Sequence, residues 1–154
     1  MIKSIKRGKA FDLKTKVINT LMLQGKKKTG EKILLKFAKR LQKSSDKNFK
    51  HLFQLAIINS TPTFKLNEQI VKKGKRKAVR ITPSFIANDS LRIMTSLKFI
   101  KTTVSKNKKS IQFYESLSEE ILASAVLKSQ AVDKKNDLQK QILINKRYLS
   151  KFRW

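Results

Sequence analysis

Apolar residues recur three and four positions apart along six stretches of this 154-residue chain, the spacing that lines up one face of an α-helix. Leu13, Val17, Ile18, Leu21 and Met22 form the first run, which stops at Gly25, where a left-handed cap is expected. Thr29 is the candidate N-cap of a second helix carrying Ile33, Leu34, Phe37, Ala38 and Leu41. A third run, Phe49, Leu52, Phe53, Ala56 and Ile57, ends ahead of Pro62, because the residue before a proline is driven out of the helical region. Leu91 to Val104 supplies a fourth face, opened at Asn88-Asp89-Ser90, and Ile111 to Val126 a fifth. The last starts near Asp133 and continues through Leu138, Ile142 and Ile144 toward Tyr148 and Leu149. Four glycines and two prolines are too few for the frequent turns of a β-sandwich.

One segment breaks the helical period. Phe64, Leu66, Ile70 and Val71 precede a basic tip at 72–77, and Val79 and Ile81 follow it, which reads as a hairpin with Gly74 near the turn and Pro83 ending the return strand. The expected fold class is therefore mainly α: about six helices with a protruding two-stranded β-ribbon at about 64–81. Residues 1–12 read as a basic N-terminal arm and 13–154 as a single helical domain, long enough to bury roughly two thirds of the surface of its unfolded chain.

Charge decides what such a domain touches. Lys and Arg number 37 against 10 Asp and Glu, a formal net charge of +27, and the excess is clustered at 26–28, 72–77, 106–109 and 134–135, between the apolar runs. A polyanionic partner follows. The basic residues are 30 lysines and 7 arginines, and lysine acts as a point charge on phosphate, releasing condensed counterions, more than as a reader of base edges. Most of the nine Phe lie on apolar helical faces, as core residues and not as a single-strand stacking platform, so recognition of folded RNA by shape and phosphate is the better fit.

Other chemistries lack their residues. With no cysteine there is no disulfide, thiolate nucleophile or Cys-ligated zinc. The one histidine, His51, lies in an apolar helical run, where a partly buried structural imidazole is expected, and no partner completes a triad or metal site. Glu115, Glu119 and Glu120 read as a solvated or ion-paired helix face. Gly25-Lys26-Lys27-Lys28-Thr29 lacks the first glycine of a phosphate-binding loop. No enzyme activity, metal, cofactor or small-molecule substrate is expected. No apolar run approaches a membrane span of about 20 residues, and residues 1–7 carry no hydrophobic signal core.

Two segments resemble a known family. Asn19-Thr20-Leu21-Met22, Gly25-Lys26-Lys27 and Glu31-Lys32-Ile33 are similar to the N-terminal signature of small-subunit ribosomal protein seven, which joins a helix end, a glycine cap, a lysine pair and the next helix. Ala131-Val132, Lys134-Lys135, Asp137-Leu138, Asn145-Lys146 and Phe152-Arg153-Trp154 resemble its C-terminal elements. Between them, Pro62-Thr63-Phe64, the basic hairpin and Leu97-Lys98-Phe99-Ile100 fall where the family has a strand entry, a ribbon and a helix. The chain departs from the family in its single ribbon glycine, its longer ribbon, and Gln139 and Gln141-Ile142-Leu143 in the last helix.

The resemblance implies a structural protein that binds the 3′ major (head) domain of small-subunit rRNA, organises head assembly, contacts neighbouring head and platform proteins, and lies near the mRNA and exit-site tRNA path. On that reading Lys26, Lys27, Lys134, Lys135 and Arg153 match basic family positions. Lys28, the arm residues Lys3, Lys6, Arg7 and Lys9, and the ribbon residues Lys72, Lys73, Lys75, Arg76, Lys77 and Arg80 complete the candidate rRNA-binding set. The lysine-rich composition, with many Ile and Asn sharing A/T-rich codons, and the drift from the bacterial pattern point to a mitochondrial ribosome in the matrix. The lack of an Arg/Ser-rich transit peptide fits organelle encoding. The alternative from charge and ribbon alone is a histone-like architectural DNA-binding protein.

Overall fold

Six helices and one antiparallel ribbon follow each other in the order α1 (Leu13–Leu21), α2 (Lys27–Ser44), α3 (Phe49–Ser60), β1 (Phe64–Lys73), β2 (Arg76–Phe85), α4 (Asp89–Lys106), α5 (Phe113–Ala125) and α6 (Gln130–Ile144). The computed structural model describes residues 13–45, 48–73, 76–106 and 112–145, so the arm at 1–12, the ribbon tip at 74–75, the loop at 107–111 and the end from 146 lie outside the described residues. The mainly α class with a two-stranded ribbon is the class the periodicity indicates.

The apolar stripes meet around α5, which packs against α2, α3, α4 and α6. Leu117 and Ile121 of α5 join Phe37 and Leu41 of α2, Phe53 and Ile57 of α3, and Leu97 and Ile100 of α4 in one buried cluster. Phe37 is fully buried and meets Phe49 and Phe53 edge-on, with ring centroids at 5.5 and 5.9 Å. Each such pair adds about 0.5–1.5 kcal/mol beyond area burial. Small hydroxyl residues let the helices approach and bring their own partners. The Ser60 and Ser96 hydroxyls, both buried, share a 2.7 Å hydrogen bond between α3 and α4, and Ser60 also donates to the Ala56 carbonyl at 2.7 Å.

Several boundaries differ from the sequence-based expectation. α1 ends at Leu21, ahead of Gly25, and α2 opens at Lys27, two residues before Thr29. Gln24 and Gly25 take left-handed φ of 52° and 74°, and Lys26 N–H closes the turn on the Leu23 carbonyl at 3.0 Å, so the chain re-enters helix without a hydroxyl cap. α6 starts at Gln130 and not near Asp133, because the Ser129 hydroxyl accepts Val132 N–H and caps it. Asn88 opens α4 as expected, its Oδ1 accepting Ser90 N–H at 2.9 Å.

Pro83 does not end β2. Ile86 N–H donates to the Thr63 carbonyl at 3.0 Å, which makes 63 and 86 a hydrogen-bonded pair. Three positions on, the Leu66–Pro83 pair is then of the non-hydrogen-bonded kind, where the missing proline N–H would have faced outward. The strand therefore continues to Phe85.

Candidate nucleic-acid interface

The α1–α2 turn presents Lys26, Lys27 and Lys28 side by side, all exposed. α2 has no side-chain cap at Lys26, so the positive end of its dipole lies among three exposed lysines without a side-chain acceptor, and the Lys27 N–H turns back to the Gly25 carbonyl at 2.8 Å. That combination favours phosphate oxygen. Behind it the turn is held tightly: an added Cβ on Gly30 would stand 3.3 Å from the Ile18 carbonyl oxygen, so α2 crosses α1 almost backbone to backbone.

The ribbon pairs Lys72 with Lys77 and Lys73 with Arg76 in register, bringing four basic residues to its outer end, with Arg80 opposite Gln69 further in. Lys75 lies outside the described residues, as do Lys3, Lys6, Arg7, Lys9 and Arg153.

The structure brings Lys134 and Lys135 to a different place. Lys134 Nζ donates to the hydroxyls of Thr102 at 3.0 Å and Thr103 at 2.7 Å, tying α6 to α4. Burial, reinforced by nearby Lys106, lowers its pKa below the ordinary lysine value, while Glu120 opposes the shift. Lys135 Nζ donates to the Asn59 carbonyl at 2.8 Å, tying α6 to α3. Each ammonium has three N–H groups, so one remains on Lys134 and two on Lys135 beyond these bonds. Two lysines absent from the sequence-based set act in the same way: Lys16 of α1 donates to the Ser90 hydroxyl, and Lys101 of α4 to the Thr20 carbonyl. Nothing in their spacing separates them from solvated lysines.

Carboxylates neutralise little of this surface. Among the described residues Arg40 pairs with Glu115 at 3.0 Å, Arg92 with Asp89 at 3.5 Å and Lys140 with Asp137 at 3.7 Å. Glu120 is drawn inward, its Oε1 accepting Ala131 N–H at 3.1 Å at the start of α6. Burial raises its pKa, against the lowering by that N–H, the Ser129 hydroxyl and Lys134. His51 is exposed on α3, not partly buried as its apolar neighbours suggested: it sits on the outer face between Phe49 and Leu52. Among the described residues no group of three His, Asp or Glu is placed to hold a metal, and no helix is long and apolar enough to cross a membrane.

The sequence of residues 3–146 matches the family model of Ribosomal protein S7p/S5e. The chain belongs to that family. Small ribosomal subunit protein uS7c of Euglena longa is 28% identical over 142 residues, spanning 90% of this chain and 77% of the relative. The uS7 protein of Mycoplasma mobile is 28% identical over 140 residues, 91% of this chain and 85% of the relative. That of Pseudothermotoga lettingae is 30% identical over 142 residues, 92% and 87% respectively. As a member of the S7p/S5e family the chain is a structural protein of the small ribosomal subunit and not an enzyme, and its partners are small-subunit rRNA and other ribosomal proteins.

Proposed function

We propose that this protein binds the 3′ major domain of small-subunit rRNA, organises assembly of the head, and lies beside the path of mRNA and exit-site tRNA against head and platform proteins. The observation that carries the reading is the unneutralised, clustered lysine surface: Lys26, Lys27 and Lys28 around an uncapped helix start, and a ribbon whose outer register pairs are all basic. Lysine point charges on phosphates suit a folded RNA bound by shape. In this reading the arm residues Lys3, Lys6, Arg7 and Lys9, the ribbon residues Lys72, Lys73, Lys75, Arg76, Lys77 and Arg80, and Lys134, Lys135 and Arg153 add phosphate contacts.

The ribosome in question is a mitochondrial one, a reading supported by 30 lysines against 7 arginines in a composition rich in A/T-type codons. Gradient sedimentation of a gently lysed organelle fraction, followed by mass spectrometry, tests both parts. The protein should follow the small-subunit peak from mitochondria. Its absence from that peak would overturn the assignment, and its presence only in cytosolic or plastid subunits would overturn the mitochondrial part.

A further inference from the structure

The ribbon carries two chemistries on its two faces. With Thr63 and Ile86 fixed as a hydrogen-bonded pair, the register places Phe64 with Phe85, Leu66 with Pro83, Glu68 with Ile81 and Ile70 with Val79 on one face. Lys65 with Ser84 and Asn67 with Thr82 take the other. Near the helical body the first face is partly covered, with Phe85 still 38% exposed. Pro83 is buried, the Phe64 and Phe85 rings meet edge-on at 5.6 Å, and the Arg92 guanidinium lies 4.9 Å from the Phe85 ring. Further out it is open: Ile70 is 69% exposed, Val79 62% and Ile81 37%.

Three β-branched aliphatic side chains in a row are costly in water and poorly suited to RNA. They offer no π-face to a base and no donor to a phosphate or 2′-hydroxyl. Glu68, exposed in the same row, sets a carboxylate among them that repels phosphate and attracts a cation. We propose that this face docks on a neighbouring protein of the small subunit, through a strip of aliphatic side chains with a lysine or arginine set opposite Glu68. The Lys65–Asn67–Thr82 face turns to rRNA. The ribbon is then a partition, with RNA on one side and protein on the other. This rests on the chain's place in the small subunit.

The test uses the absence of cysteine, which makes any introduced thiol a unique attachment point. Val79→Cys and Thr82→Cys, each carrying a benzophenone label, are reconstituted with the full chain into small subunits and irradiated. Val79 should label a protein and Thr82 the rRNA. Labelling of rRNA from Val79, or no product from Val79 while Thr82 labels rRNA, overturns the proposal; no product from either site removes the ribosomal placement beneath it.

Binding to an isolated head-domain rRNA fragment gives the second arm. Ile70→Ser/Val79→Ser/Ile81→Ser should leave affinity within about twofold, whereas Lys65→Ala/Arg80→Ala should lower it several-fold. A larger loss from the serine variant would assign the aliphatic face to RNA and refute the partition.

Discussion

Lys135 and Asn59 are joined by one hydrogen bond that extends into α5: the Lys135 ammonium donates to the Asn59 carbonyl at 2.8 Å, while the Asn59 amide donates to the carbonyls of Ser124 at 2.9 Å and Ala125 at 3.1 Å. One residue of α3 thereby closes the C-terminal end of α5 and anchors α6. Three helices are tied together by polar bonds outside the apolar core.

Removing either end of this tie should be felt as stability. Lys135→Ala loses a charge-assisted bond and should cost about 1–2 kcal/mol, and Asn59→Ala, which removes the side-chain donor to two carbonyls while Ser124 keeps the Leu127 N–H, about 1–2 kcal/mol, by urea denaturation followed by circular dichroism. Lys27→Ala, on an exposed lysine, should leave stability within about 0.5 kcal/mol. Lys135 would be reassigned to a purely RNA-facing role by an unchanged denaturation midpoint together with weakened rRNA binding.

The α5 end holds a correctable strain. Leu127 takes a left-handed φ of 62°, with its N–H bonded to the Ser124 carbonyl and the Lys128 N–H to the Ala123 carbonyl at 2.8 Å, the arrangement that usually carries glycine. Its side chain is 60% exposed, so little packing is lost on removal. Leu127→Gly should stabilise the domain by about 0.5–1 kcal/mol, raising its thermal midpoint by a few degrees. A lower midpoint would mean that the Leu127 side chain contributes contacts worth more than the strain.

Stability should depend on pH through Glu120. Its folded pKa lies above the ordinary 4.5 because burial disfavours the carboxylate, so the native state holds this proton more tightly than the unfolded chain. The resulting contribution is complete below the ordinary value and is lost as pH rises through the folded one. Glu120→Gln removes the titration and should show a smaller fall in stability than the unaltered protein between about pH 4 and pH 7. Parallel curves for the two proteins would show that Glu120 titrates alike folded and unfolded.

Much of this architecture was legible in the sequence. Apolar spacing located every helix in the described residues, and the shift to alternation at Phe64 located the ribbon, because burial of one face is what both patterns record. Features set by tertiary geometry were not legible. Whether Pro83 ends a strand depends on which ladder position it occupies, which only the Thr63–Ile86 bond reveals. An apolar neighbourhood in sequence does not bury His51, because its position on the turn of α3 points it outward. Lysines 16, 101, 134 and 135 look alike in sequence to lysines 26, 27 and 28, yet the first four reach across to neighbouring helices and the last three end in solvent. Residue type gave the interface its charge; helix packing chose which lysines hold the fold.

Charge removal from the α1–α2 turn and from the ribbon should separate affinity from stability. Lys26, Lys27 and Lys28 replaced together by Ala, or Lys73, Lys75, Arg76 and Lys77 replaced together, should weaken rRNA binding and flatten the dependence of log K on log salt by up to about 0.9 per lost phosphate contact. Thermal midpoints should stay put. An unchanged salt slope for the ribbon variant would place its tip against protein or solvent instead of phosphate.

Head-domain recognition is tested most directly by competition at fixed salt: the full chain is bound to a labelled 3′ major-domain rRNA fragment and challenged with equal concentrations of unlabelled head fragment, another rRNA domain, or duplex DNA. The account predicts displacement by the head fragment alone. Equal displacement by duplex DNA or by the other rRNA domain would show only general polyanion binding and would contradict it.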